Sequence, residues 1–201
     1  MNASQAGMAR SPELKYQMQL MGILAEIFSQ IYLTEIIESA NLADQWKVNR
    51  YDDVRTDGFK SAANEYDIKF LKVDGSKAFK AESRSSIAHN RTLKMAIEQF
   101  DIIGPYSSAV KYGEGAVDSF IRPLYEFLPF TSQRYLPSNF ERHLKAGEIS
   151  LYIVAGCTKK EMIEKGYNKS MNQSGTLYRV VKILNGFDVK KFNPVLIAML
   201  K

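Results

Sequence analysis

The 201-residue sequence predicts an α/β fold, a central mixed β-sheet flanked by helices, in a single domain spanning residues 1–201. Three observations predict it. Apolar residues make up 45% and charged residues 24%, a globular mix unlike that of a disordered chain, a collagen or a coiled-coil rod. Stretches with helical spacing and stretches with strand character both recur along the chain. No Pro-, Gly- or Ser-rich linker and no internal repeat divides it.

The elements follow in order. Ser11-Pro12-Glu13 reads as an N-cap with proline at the first helical position. Leu20, Leu24, Ile27, Phe28 and Ile31 then recur at helical spacing, so a long helix should run to about Ala40. Residues 46–54 alternate loosely, as a short strand does. Residues 66–73 and 78–83 read as two strands around Asp74-Gly75, a strong hairpin signal. Residues 89–100 read as a helix and 104–115, with Pro105 and three glycines, as a loop. Residues 120–127 suit a strand or a short helix. Ser138 with Glu141 and Thr158 with Glu161 are capping boxes, each opening a short helix. The apolar run 149–154 reads as a buried strand. Residues 166–175 read as a polar loop, 176–184 as a strand and 195–200 as a last apolar element.

Composition also excludes functions. A single cysteine, Cys157, forms no internal disulfide, and with two distant histidines it supplies no usual structural zinc site. No G-x-x-x-x-G-K or G-x-G-x-x-G motif supports a nucleotide cofactor, and no G-x-S-x-G elbow is present. The start, 1–19, has no apolar signal region, and no stretch approaches the roughly 20 uninterrupted apolar residues of a membrane span. The expectation is a soluble cytoplasmic protein with no membrane partner. Net charge is +5, with lysine and arginine in excess over 142–201 and a slight acidic excess before it. Between 83 and 99 the only acid is Glu98, alongside Arg84, His89, Arg91 and Lys94. Basic faces of this kind suit a polyanion such as nucleic acid.

The hairpin carries the chemistry. Strand alternation puts the charged residues of Glu65-Tyr66-Asp67-Ile68-Lys69-Phe70 on one face, and gathers Lys80, Glu82 and Arg84 likewise. With a two-residue Asp74-Gly75 turn, Val73 pairs with Ser76, and Asp67 then lies opposite Glu82. A turn two residues longer sets Asp67 opposite Arg84 instead, with Glu82 diagonal. Facing carboxylates repel. Mg²⁺ removes the repulsion, since it prefers carboxylate oxygens and keeps several waters. It can also polarise a phosphoryl oxygen and lower the pKa of an attacking water. The plainer alternative is a solvent-facing hairpin whose acids pair with Lys69, Lys80 and Arg84.

Glu65-Tyr66-Asp67-Ile68, the hairpin, and Phe79-Lys80-Ala81-Glu82-Ser83-Arg84-Ser85-Ser86 together resemble the active-site core of the PD-(D/E)XK nuclease superfamily, type II restriction endonucleases above all. The resemblance implies a restriction-endonuclease-like fold and Mg²⁺-dependent hydrolysis of double-stranded DNA. It implies a homodimer, because cutting both strands of a symmetric site takes two active sites. Asp67 and Glu82 would be the metal ligands, and Arg84 would stand where lysine is usual. Arginine stays protonated, so it could orient water or stabilise charge without acting as a base. The family often adds an acid from the first helix. Glu35, which with Glu38 continues the apolar stripe, is that candidate, against the reading that the helix end emerges into solvent. Ser85, Ser86, His89, Asn90, Arg91 and Lys94 are placed to meet the phosphate backbone. Lys165, Asn168, Lys169 and Asn172 mix charge with side chains that bond phosphates or read adenine. Tyr106, Lys111 and Tyr112 are further candidates. A different class, a nucleic-acid-binding module with a decayed site, is favoured by the arginine at 84.

Overall fold

Ser11 accepts the Leu14 N–H at 3.2 Å, and Pro12 fills the first helical position of α1, Pro12–Ser39. The helix ends in a Schellman motif. Asn41 takes a left-handed φ of 57°, its N–H bonds Glu38 O, and the Leu42 N–H bonds Ile37 O at 2.8 Å. Buried Leu42 and Ile37 belong to one core cluster, the apolar contact that accompanies this cap. The structure, a computed structural model, describes residues 11–54, 66–88, 97–106, 117–127, 139–170 and 177–201.

Strand β1, Trp46–Arg50, leads into a single helical turn, α2, Tyr51–Val54. Strands β2, Ile68–Lys72, and β3, Ala78–Ser83, form the hairpin. Its tip is built as the Asp-Gly dipeptide requires: Gly75 has φ 74°, and Asp74 accepts the Ser76 N–H at 2.8 Å. A two-residue strand, β4, Ser86–Ile87, follows, then β5, Asp101–Tyr106, and β6, Ser119–Phe127. The rest comprises α3, Phe140–Lys145; β7, Ile149–Thr158; α4, Lys159–Lys165; β8, Tyr167–Ser170; β9, Leu177–Lys182; and α5, Val189–Leu200.

Strands β1, β2 and β3 are an antiparallel meander; β3 and β4 both run parallel along one side of β6, and β7 pairs antiparallel with its other side. The result is a mixed sheet flanked by helices, as expected. A separate antiparallel sheet has the order β5-β9-β8. One core, including Leu33, Ile37, Trp46, Ile68, Phe70, Phe192 and Leu196, joins α1 and α5 to the large sheet. A second, including Phe120, Leu124, Ile102, Val181 and Met162, joins the two sheets. Gly156 on β7 lets α5 approach: a Cβ there would stand 2.5 Å from the Phe192 ring. By length and composition α1 could also cross a membrane; here Met21, Ala25, Leu33 and Ile36 are buried within the protein.

Several expectations need correction. Residues 101–106, read partly as loop, are a strand, and 167–170, read as loop, are another. Both find partners in β9: β5 by a non-local pairing, and β8 by pairing with the next strand, Ser170 opposite Leu177, which its polar residues do not announce. Residues 120–127 are a strand throughout. Helix α3 has Asn139 at its N-cap, whose side chain makes no cap bond, while Ser138, the expected cap, lies outside the described residues. Its Glu141 N–H goes instead to Gln17 Oε1 of α1, at 2.7 Å. The Thr158–Glu161 capping box forms in full. Of 89–100, residues 97–99 are helical; 89–96 lie outside the described residues.

Candidate active site on the hairpin

The register of β2 on β3 pairs Phe70 with Phe79, Lys69 with Lys80 and Ile68 with Ala81. Continued by one residue, it would oppose Asp67 to Glu82, the arrangement the shorter turn predicts, but the paired register ends at Ile68 and Ala81. Asp67 bends, its N–H bonding Ala81 O at 3.0 Å and its carbonyl taking the Tyr51 N–H at 2.8 Å. Its carboxylate Oδ2 accepts the Ser83 backbone N–H at 2.6 Å, so a side chain replaces the next rung.

Glu82 is buried, with 4% of its surface exposed. Arg84, two residues on, donates from Nε at 2.6 Å and from Nη2 at 2.5 Å, both to Glu82 Oε1. Its guanidinium also lies over the Tyr178 ring of β9, 5.6 Å from the centroid. Burial works against this charge, but Glu82, with Asp67 further off, outweighs it and holds the Arg84 pKa above the ordinary value. The like-charge opposition of the two acids is thus answered within the protein by a cation on one of them.

A third acid comes from α1, and it is Glu26. Burial raises its carboxyl from 4.5 to about 8; Asp67, Asp52 and Asp53 add to the rise and Arg50 opposes it. Arg50 is itself held by Asp53 through contacts of 3.0 and 2.6 Å. Glu35 does not reach this cluster. It is exposed, and nine residues along a helix set it about half a turn round and roughly 13 Å away from Glu26. The sequence does hold the signal for Glu26: between Lys15 and Glu35 it is the only charged residue, inside the apolar run. Ser29, one turn on from Glu26, is fully buried with its Oγ 3.0 Å from Ser83 Oγ, which ties α1 to the same stretch of β3.

The remaining candidates scatter. Ser85 is half-buried, and Ser86 Oγ accepts from Arg122 Nη2 at 2.8 Å. His89, Asn90, Arg91, Lys94, Lys111, Tyr112 and Asn172 lie outside the described residues, and Tyr106 ends β5. Lys165 places its ammonium over the Phe187 ring. Lys169 bonds buried Asp101 at 2.5 Å, as Tyr167 does at 3.1 Å, while Asn168 is exposed on the edge strand β8. Lys169 pairs with Tyr178, so β8 lies one strand from the residue stacked on Arg84.

Sequence reasoning did not single out Arg122. It is 1% exposed, with its guanidinium over the Phe100 ring and bonded to the Arg84 carbonyl and Ser86 Oγ. Burial lowers its pKa to about 9, with Asp101 opposing and Arg84 adding to the drop. Cys157 is buried in β7 and burial pushes its thiol well up, so it packs rather than reacts.

As donors, Asp67 and Glu82 suit a hard divalent cation that needs one or two carboxylates and retains its waters. Among the described residues, no three His, Cys, Asp or Glu side chains converge closely enough to hold a metal ion. Compared with protein-family models, curated proteins and solved structures, the chain matches none.

Proposed function

We propose that this chain is a Mg²⁺-dependent endonuclease with a restriction-endonuclease-like fold, hydrolysing phosphodiester bonds of double-stranded DNA as a sequence-specific homodimer. The observation that carries the reading is the placement of Asp67 and Glu82 together at the open end of the hairpin, with the Asp67 carboxylate on the Ser83 N–H and Arg84 on Glu82. Two features of its setting support it. Glu26 sets a first-helix acid within electrostatic reach of Asp67, and the PD-(D/E)XK resemblance leads one to look for an acid from that helix. The meander is followed by a buried strand, β6, lying parallel beside β3.

In this reading Asp67 and Glu82 hold Mg²⁺, which supplies a polarised phosphoryl oxygen and a water of lowered pKa. Arg84 keeps its proton at every working pH and stabilises negative charge that develops on the phosphoryl group. To do so its guanidinium shares or leaves Glu82 as the scissile phosphate arrives. Exposed Asn168 and the basic residues of the last third of the chain meet the DNA backbone.

A second reading, a non-catalytic nucleic-acid-binding module, is favoured by one contact: Arg84 grips Glu82 Oε1 through two nitrogens, as a structural ion pair would. Incubating the protein with long duplex DNA, in Mg²⁺ or in EDTA, separates the two. Discrete fragments only with Mg²⁺ are expected, with cleavage falling roughly a hundredfold or more in Asp67→Asn and Glu82→Gln while DNA is still retarded on a gel. Intact but retarded DNA favours the binding module. Variants that cut as well as the parent would refute the site.

A further inference from the structure

Strands β3 and β4 pair with β6 in a single parallel register: Ser83 with Ile121, and Ser86 with Leu124. They are one strand interrupted at Arg84-Ser85, opposite Arg122-Pro123. The cause is covalent. In a parallel ladder Arg84 sends its N–H to Ile121 O, which it does at 3.2 Å, and its carbonyl should take the N–H of residue 123. Residue 123 is proline and has no N–H. On its other side, β6 shifts register against β7 between Arg122 and Pro123, so a bulge accommodates the proline there.

The donor that Pro123 lacks comes from its neighbour: Arg122 Nη1 bonds the Arg84 carbonyl, and Nη2 bonds Ser86 Oγ on the far side of the break. The buried guanidinium is not there to complete its own hydrogen bonding, since its Nε has no partner among the described residues. We infer that Arg122 is a positioning residue for the site: with Pro123 it replaces a backbone rung by a side-chain clamp that sets the angle at which Arg84 reaches Glu82. Residues 84 and 122 are neighbours in the continued register, so the clamp acts on the very residue whose guanidinium holds Glu82. Its value for the reaction rests on the nuclease reading above; the clamp itself does not.

The test follows the Arg84 Nε–H resonance by ¹⁵N NMR, assigned by its loss in Arg84→Lys. In Arg122→Met its exchange with water should quicken by about tenfold or more, the scale of one charge-assisted hydrogen bond. Pro123→Ala restores a backbone N–H, so the double variant Arg122→Met/Pro123→Ala should recover the slow exchange, which simple loss of packing would not. An unchanged signal in Arg122→Met, or no recovery in the double variant, overturns the clamp. If Arg122→Met does not fold, Arg122→Lys, which keeps a single donor group, should give intermediate exchange; parental exchange there overturns the clamp as well. In parallel, Mg²⁺-dependent cleavage should fall in kcat rather than KM and return with the double variant. NMR rescue with no cleavage by any form, parent included, would leave the clamp standing and refute the nuclease reading.

Discussion

Glu26 sits where burial and three aspartates oppose its charge, which lifts its carboxyl to about 8 against 4.5 in an unfolded chain. Between those two pH values the folded protein binds a proton that the unfolded chain does not. The contribution to stability is therefore full below pH 4.5, and it declines as pH rises to about 8. The decline is at most about 1.4 kcal/mol per pH unit. Glu26→Gln removes the titration, so its melting temperature should exceed the parent's by several degrees at pH 8.5 and converge with it near pH 4.5. Parallel melting curves across that range would show that Glu26 ionises normally.

Among the elements, α3 shows how a short helix borrows what it lacks. Six residues nucleate poorly alone, and no side chain of its own N-cap closes its first turn. Gln17, 3% exposed on α1, supplies the acceptor for Glu141 N–H and steadies its amide on Glu13 Oε1 at 2.6 Å. Phe140 then packs edge-on to Tyr125 and Phe127. Gln17→Ala should cost about 1 kcal/mol in denaturant unfolding, as loss of an N-cap does. Hydrogen exchange should speed up at the start of α3 and stay unchanged in α4, whose own capping box is intact. Equal protection of α3 in both proteins would mean that the contact is incidental.

The basic excess of 142–201 falls on α3, α4, the small sheet and α5, whereas the acids Glu26, Asp52, Asp53, Asp67 and Glu82 gather at the hairpin end of the large sheet. A DNA duplex held by the basic part, as proposed, would release counterions, so affinity should fall linearly in log–log form with salt. Tenfold or greater loss between about 50 and 200 mM salt in a gel-retardation series is expected. A flat dependence would remove nucleic acid as the partner.

The sequence by itself determined the parts whose causes are local. Ser11-Pro12 started α1, Thr158 and Glu161 started α4, and Asp74-Gly75 fixed a hairpin register that brings Asp67 to the Glu82-Ser83 end of β3. Each rests on residues within a few positions of one another, and on the two-residue period that makes a register slip flip every side chain. Tertiary structure decided what depends on distant partners. Strand β5 exists because β9, some eighty residues on, pairs with it, although Gly104 and Pro105 argue otherwise locally. Glu26 rather than Glu35 feels the charge of Asp67 because helix rotation, set by the face that Leu33 and Ile37 bury, turns one acid toward the protein and the other to solvent. Arg122 closes the break opposite Pro123 because a missing N–H on β6 leaves a carbonyl on its neighbour to be satisfied, a need that appears only once the two strands are paired.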